Sequence, residues 1–362
     1  MRSDGRSPRE LAEKFGRFAP ACEQRSPLYG HLARAAAHDL DVAGLLAAAP
    51  TSGLAHPTLL FAAVHDLVLR GEAPELAAWY PTAGGTRSLT DGDPWPVFRA
   101  AVLQRRAAVE ECIRTRRTQT NEVGRSTALL AALRLVERDA GRPLAWLDVG
   151  TSAGLTMRLR HFRHDLVGDG VVSASLGPAD ATVRLRCDVE GQPPFDALPE
   201  FAWRAGLDAA PVEAADADAA GWLQACVWPE QTDRLDRLRA ALQVAARDPV
   251  PIHAGDAVGD LAGVAAQAPS DAHLVISHTW VLAYLERDAR EAFDDAVASI
   301  GADRDLDRIG MESGGIVPGT RPDEVARSWL GRTTWRDGDR HDAVVAEVDD
   351  HGRWLRWGVG PR

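Results

Sequence analysis

Pro143-Leu144-Ala145-Trp146-Leu147-Asp148-Val149-Gly150-Thr151-Ser152-Ala153-Gly154-Leu155 reads as a buried strand that runs into a glycine turn and opens a helix. An acid, Asp148, stands two residues before the first glycine. Glycine lets the backbone approach a ligand closely. The start of a helix presents unpaired N–H groups. Together these suit a nucleotide-type cofactor. The spacing is Asp-x-Gly-x-x-x-Gly. A dinucleotide fingerprint would carry its second and third glycines where Ser152 and Leu155 stand, which argues against NAD.

Downstream of this stretch, strands and helices alternate. A helix is expected at 153–163, then a short hairpin at 171–174 and 182–188. A strand follows at 202–208, ending in Asp208. Helices at 217–227 and 230–246 are separated by Trp228-Pro229, since the residue before proline avoids helical geometry. Further strands fall at 250–256, 273–278 and 308–312. A closing hairpin pairs 343–348 with 353–357. Upstream, residues 8–80 carry apolar positions at helical spacing, and a Pro/Gly-rich loop occupies 81–96. Two lead-in helices are expected, Val97 to about Arg117 and Gly124 to Asp139.

The pattern predicts an α/β protein with an open Rossmann-like sheet, a C-terminal β-hairpin and an N-terminal helical region. The expected division is a helical cap at 1–96 and a sheet domain at 97–362 that includes the helices of 97–140. Open α/β sheets bind ligands at the carboxyl ends of their strands. Asp148 with Gly150, Asp208, Asp256, His278 and Glu312 all fall at such ends.

Composition removes several classes. The 362 residues are 45% hydrophobic, enough for a sizeable core, and the net charge of −11 disfavours a nucleic-acid partner. Lys14 is the only lysine. It lacks the context that a pyridoxal phosphate site or a P-loop requires. No two of Cys22, Cys112, Cys187 and Cys226 form a Cys-x-x-Cys pair, so no zinc site is expected. His161 and His164 lie three apart without an evident third ligand. The first 15 residues lack the apolar core of a signal peptide, and no run approaches a membrane span. A cytoplasmic protein with reduced thiols is expected, with no metal and no membrane contact. Oligomeric state stays open.

The Asp148–Leu155 pattern resembles the first motif of class I S-adenosylmethionine (SAM) methyltransferases, with Ser152 in place of the middle glycine. Several segments resemble an actinobacterial family known as DUF2332. They are Ser26-Pro27-Leu28-Tyr29, Gln119 to Ser126, Leu147 to Leu155, Arg204 to Asp208 with Pro211-Val212, Trp222 to Glu230, and Gly255-Asp256-Ala257. The likeness covers most of the chain, in order, and implies a methyltransferase-like Rossmann fold. Thr156 departs from it, because that pattern carries asparagine there.

On this resemblance the Gly150–Gly154 turn, with Thr151 and Ser152, would cradle the methionine part of SAM. Asp148 would accept from its ammonium group. Asp208 would take the ribose hydroxyls, since two acceptor oxygens match a vicinal diol. Asp256 and Ala257 would lie beside the adenine. His278 is the candidate general base and Trp280 a stacking surface for substrate or cofactor. Arg125 is the candidate carboxylate clamp. Asn121 joins the cofactor set, although it or Thr120 also suits a helix cap. The expected function is methyl transfer from SAM to a small molecule. The rivals are transfer of another group of SAM, a non-catalytic binding or regulatory protein of the same fold, and an NAD-dependent oxidoreductase, against which the glycine spacing argues.

Overall fold

The computed structural model describes residues 7–51, 53–324 and 327–360. The chain divides into two compact units, Met1–Thr120 with Asp216–Arg239, and Asn121–Ala215 with Ala240–Arg362. The expected boundary at 96 falls inside the first unit, which also takes back a segment from the middle of the chain.

The first unit is helical. Its central helix, Pro57–Leu69, is apolar on nearly every side and correspondingly buried. Phe61 on that helix stacks on Tyr29 at 4.6 Å and meets Phe15 edge-on at 5.7 Å. Ser7 and Ser26 start the first two helices by accepting backbone N–H groups, as serine caps do. The single helix expected over 97–117 is two, Trp95–Gln104 and Arg106–Thr115. Arg105 leaves helical geometry between them (ψ 24°), and its guanidinium holds Glu72 O at 2.5 Å and Glu75 at 2.7 Å.

The second unit carries one large mixed sheet, mostly parallel. Its strands are β1 (Leu144–Val149), β2 (Arg163–Gly168), β3 (Val171–Leu176), β4 (Arg184–Glu190), β5 (Phe201–Asp208) and β6 (Ile252–Ala254). They continue with β7 (His273–Thr279), β8 (Leu306–Ser313), β9 (Ser328–Arg336), β10 (Asp339–Val348) and β11 (Trp354–Trp357). The order is β3-β2-β4-β11-β10-β9-β8-β7-β1-β5-β6. From β8 to β6 every pairing is parallel. β9 joins antiparallel to β8, and β10 antiparallel to β9.

Both faces of the parallel part are covered, as an all-parallel segment requires. One face packs Trp146, Val275 and Ile309 with Leu129, Leu133 and Val136 of the helix Ser126–Ala140. The other packs Leu147, Ile276 and Ala205 with Val264, Phe293 and Val297 from the helices Leu261–Ala265 and Arg287–Asp303.

Two expectations need correction here. The helix expected at 153–163 is a short 3-10 helix, Thr156–His161, and the chain then enters β2. Ser152 (φ 54°) and Gly154 (φ 65°) hold left-handed geometry that no α-helix can incorporate. The expected hairpin is also a larger excursion, in which β2 pairs antiparallel with β3 and parallel with β4. Among the described residues, no helix is long and apolar enough to cross a membrane.

Candidate functional site

β1 ends at the centre of the parallel strands, with Asp148 opposite Gly206 of β5 and Ser277 of β7. After β1 and the β2–β4 excursion to the far edge of the sheet, the chain builds β5 and β6 on one side of β1, then β7 and β8 on the other. The strand order therefore reverses at β1, and the carboxyl ends there form a topological switch point.

Asp148 is buried and fully engaged. Ser277 Oγ donates to its Oδ1 at 2.5 Å and Thr156 Oγ1 to its Oδ2 at 3.1 Å. Trp146 Nε1 donates to Ser277 Oγ at 2.7 Å, which completes a buried chain. Burial pushes the Asp148 carboxyl up, partly offset by these hydroxyl donors. Thr156 thus serves as a ligand of Asp148.

The turn itself is tied from several directions. Asp208 at the end of β5 is half-buried, and its Oδ2 accepts Ser152 N–H at 2.7 Å while Oδ1 accepts Ala210 N–H at 2.7 Å. Asn121 Nδ2 donates to Thr151 O at 2.9 Å. Arg158, buried among the residues under the turn, donates to Gly154 O at 2.6 Å and to Asp248 O at 2.9 Å. Burial pulls the Arg158 guanidinium down to about 10. Here an arginine supplies the donors to turn carbonyls that a longer helix would have supplied from its backbone.

Gly150 is exposed and left-handed (φ 69°). A Cβ on it would run into the Val281 side chain. The bare Cα of Gly206 accommodates the Thr151 methyl, and the Met157 methyl lies 3.2 Å from the place its Cβ would take. Asp256 follows β6 and is exposed. Its Oδ1 accepts Gly259 N–H at 2.8 Å and Val258 N–H at 2.9 Å. These bonds hold its carboxyl below the usual range. Ala257 beside it is half-buried.

Other expected residues point elsewhere. His278 lies on the opposite face of the sheet from Asp148. Its ring meets Phe293 edge-on at 5.5 Å, and its Nδ1 pairs with Glu312 Oε1 at 2.9 Å. Its Nε2 is buried without a hydrogen-bond partner among the described residues, as is Trp280 Nε1. Arg125 is buried, and its Nε and Nη1 donate to Asp350 O (2.9 Å) and Thr279 O (3.1 Å). His161 and His164 separate. His161 lies 3.3 Å from Asp248, whereas His164 is buried between Thr127 Oγ1 and Leu159 O. No cluster of three His, Cys, Asp or Glu side chains among the described residues is placed to hold a metal. The four cysteines are free.

The structure thus gathers Asp148, Gly150, Thr151, Ser152, Gly154, Asp208 and Asn121 around one turn. Sequence reasoning missed Ser277, Arg158 and Val281. Ser277 alone carried a signal, as a polar residue inside an apolar strand.

A mixed, mostly parallel sheet flanked by helices, together with a helical N-terminal region, defines an α/β protein. The chain belongs to the family described as "Uncharacterized protein conserved in bacteria (DUF2332)", whose model matches residues 12–357. A search of the curated proteins finds no match.

Proposed function

We propose that the turn Gly150–Gly154 and the carboxyl ends of β5 and β6 bind S-adenosylmethionine, and that the protein transfers its methyl group to a small-molecule acceptor. The observation that carries this reading is the half-buried Asp208 carboxylate beside the glycine turn at the switch point. Each of its oxygens accepts one backbone N–H, which leaves lone pairs for a ribose diol. Gly150 offers bare backbone to the methionine part, and Asp256 offers an ionised acceptor at the adenine end. Methyl transfer from a sulfonium depends mainly on in-line positioning, so the chemistry does not require a base. The net charge of −11 favours a small acceptor over a nucleic acid.

A second reading has its own support. Val281 packs on Gly150, Arg125 spends donors on main-chain carbonyls, and His278 faces away from the turn. These features suit a non-catalytic binding or regulatory protein that keeps the fold and lacks the transfer step. A third keeps SAM and transfers another of its groups.

Calorimetric titration with SAM, S-adenosylhomocysteine and NAD separates them. Micromolar binding of the adenosyl ligands, lost in Asp208→Ala, fixes the cofactor and justifies an acceptor screen. A folded protein that binds none of them sinks both SAM-based readings.

A further inference from the structure

The segment after β7 is held by a carboxylate that no catalytic step uses. Glu312, at the end of β8, is fully buried. Its Oε1 accepts Val281 N–H at 2.8 Å and Leu282 N–H at 3.0 Å, and pairs with His278 Nδ1 at 2.9 Å. Its Oε2 accepts Ala283 N–H at 3.3 Å. Three successive backbone donors and an imidazole thus converge on one acid. Such charge-assisted bonds are stronger than neutral ones. Gly310 leaves room for the His278 ring, whose Cε1 would lie 2.8 Å from a Cβ there.

The same segment borders the turn at Gly150. Val281 packs against Gly150, at the place where a ligand would meet the backbone. It is preceded by Trp280, a non-glycine residue in left-handed geometry (φ 55°). Strained residues of this kind persist only where surrounding contacts hold them, and they concentrate at switch regions. Tyr284, at the far end of the segment, is 78% exposed.

We propose that residues Trp280–Leu285 form a gate over Gly150, and that Glu312 is its latch, with His278 positioning the latch. Releasing the latch frees the backbone of residues 281–283 and withdraws Val281 from the turn. The latch stands on its own geometry. The gating of a ligand rests on the proposed reading of the turn as an adenosyl site.

Chymotrypsin tests this, because its cut after Tyr284 requires the segment to open. Glu312→Gln places an amide donor against backbone donors. It should raise the rate of that cut by about tenfold or more, with other sites still protected. An unchanged rate, or general cleavage with no preference for Tyr284, overturns the latch. If Glu312→Gln does not fold, Val281→Ala carries the test. Loss of its contact with Gly150 should raise the cut about threefold, and no change overturns the gate. In the parent chain, saturating S-adenosylhomocysteine should also speed the cut. A ligand that binds and leaves the rate unchanged overturns the gate while the cofactor reading stands. A ligand that does not bind defeats the cofactor reading and leaves the Glu312 result to decide the latch.

Discussion

The carboxylate of Asp208 grips the backbone N–H of Ser152 at 2.7 Å, across 56 residues of sequence. Ser152 is left-handed (φ 54°), so the acid holds a strained residue in place. The same carboxylate accepts Ala210 N–H and thereby joins the end of β5 to the turn after β1. Asp208 is therefore a structural acceptor before it meets any ligand.

This dual role yields a separable prediction. Asp208→Ala removes both acceptors and should lower stability by about 1.5–3 kcal/mol in urea unfolding. Asp208→Asn keeps one acceptor oxygen and should lose under about 1.5 kcal/mol. If Asp208 also holds a ribose diol, the asparagine variant should weaken S-adenosylhomocysteine binding about tenfold or more. An asparagine variant that binds as tightly as the parent would remove Asp208 from the ligand set and leave it a fastener of the turn.

How far the sequence could be read depended on the range of each interaction. β1 spans the expected residues, because an apolar run between Pro143 and Gly150 is a local signal. The α-helix expected after it is absent because Ser152 and Gly154 are left-handed, and Ser152 N–H is held by Asp208, 56 residues away. The expectation of Arg125 as a carboxylate clamp could not include its carbonyl partners, Thr279 and Asp350, which lie 154 and 225 residues downstream. Two motifs of the resemblance find their reason in the first unit. Glu230, from the tryptophan-rich segment, accepts Ser26 Oγ–H at 2.5 Å and Leu28 N–H at 2.8 Å, capping the helix that Pro27 begins. Neither motif alone reveals that pairing.

Two buried histidines predict an acid-sensitive fold. Burial pulls His65 and His164 down to about 4 from the usual 6.5. His164 Nε2 faces a carbonyl, Leu159 O at 2.7 Å, so it donates there, and Nδ1 is left to accept from Thr127. The unfolded chain binds more protons than the folded one between these values. Stability is therefore complete above about pH 6.5 and declines as pH falls toward 4. Each group accounts for up to about 3 kcal/mol over that window. Urea midpoints at pH 7.5, 6.5, 5.5 and 4.5 should fall steadily. His164→Gln should flatten the part of that slope that belongs to the sheet unit. A slope identical in the variant would mean that His164 titrates alike in both states.

At the opposite end of the parallel strands, Asp307 gathers a second set of charges. It is fully buried at the start of β8. His273 Nε2 lies 2.7 Å from its Oδ2, Arg332 Nε donates to Oδ1 at 2.5 Å, and Arg336 Nη2 donates to Oδ2 at 2.6 Å. Burial alone would raise this carboxyl, but the His273 bond and the Arg332 charge, with Arg336, hold it below the usual 3.8. Its stabilising effect is thus present above the unfolded value and lost as pH falls through the lower, folded one. Asp307→Ala leaves the buried His273 and the half-buried Arg332, which keeps Asp139, without this acceptor and should destabilise the protein by about 3–5 kcal/mol at pH 7. Because His273 and Asp307 begin their strands whereas the glycine turn follows the end of β1, any folded fraction should keep parent affinity for an adenosyl ligand. Unfolding measured beside calorimetry makes the contrast. A loss of affinity in folded Asp307→Ala, without loss of stability, would reverse the roles assigned to the two ends of the sheet.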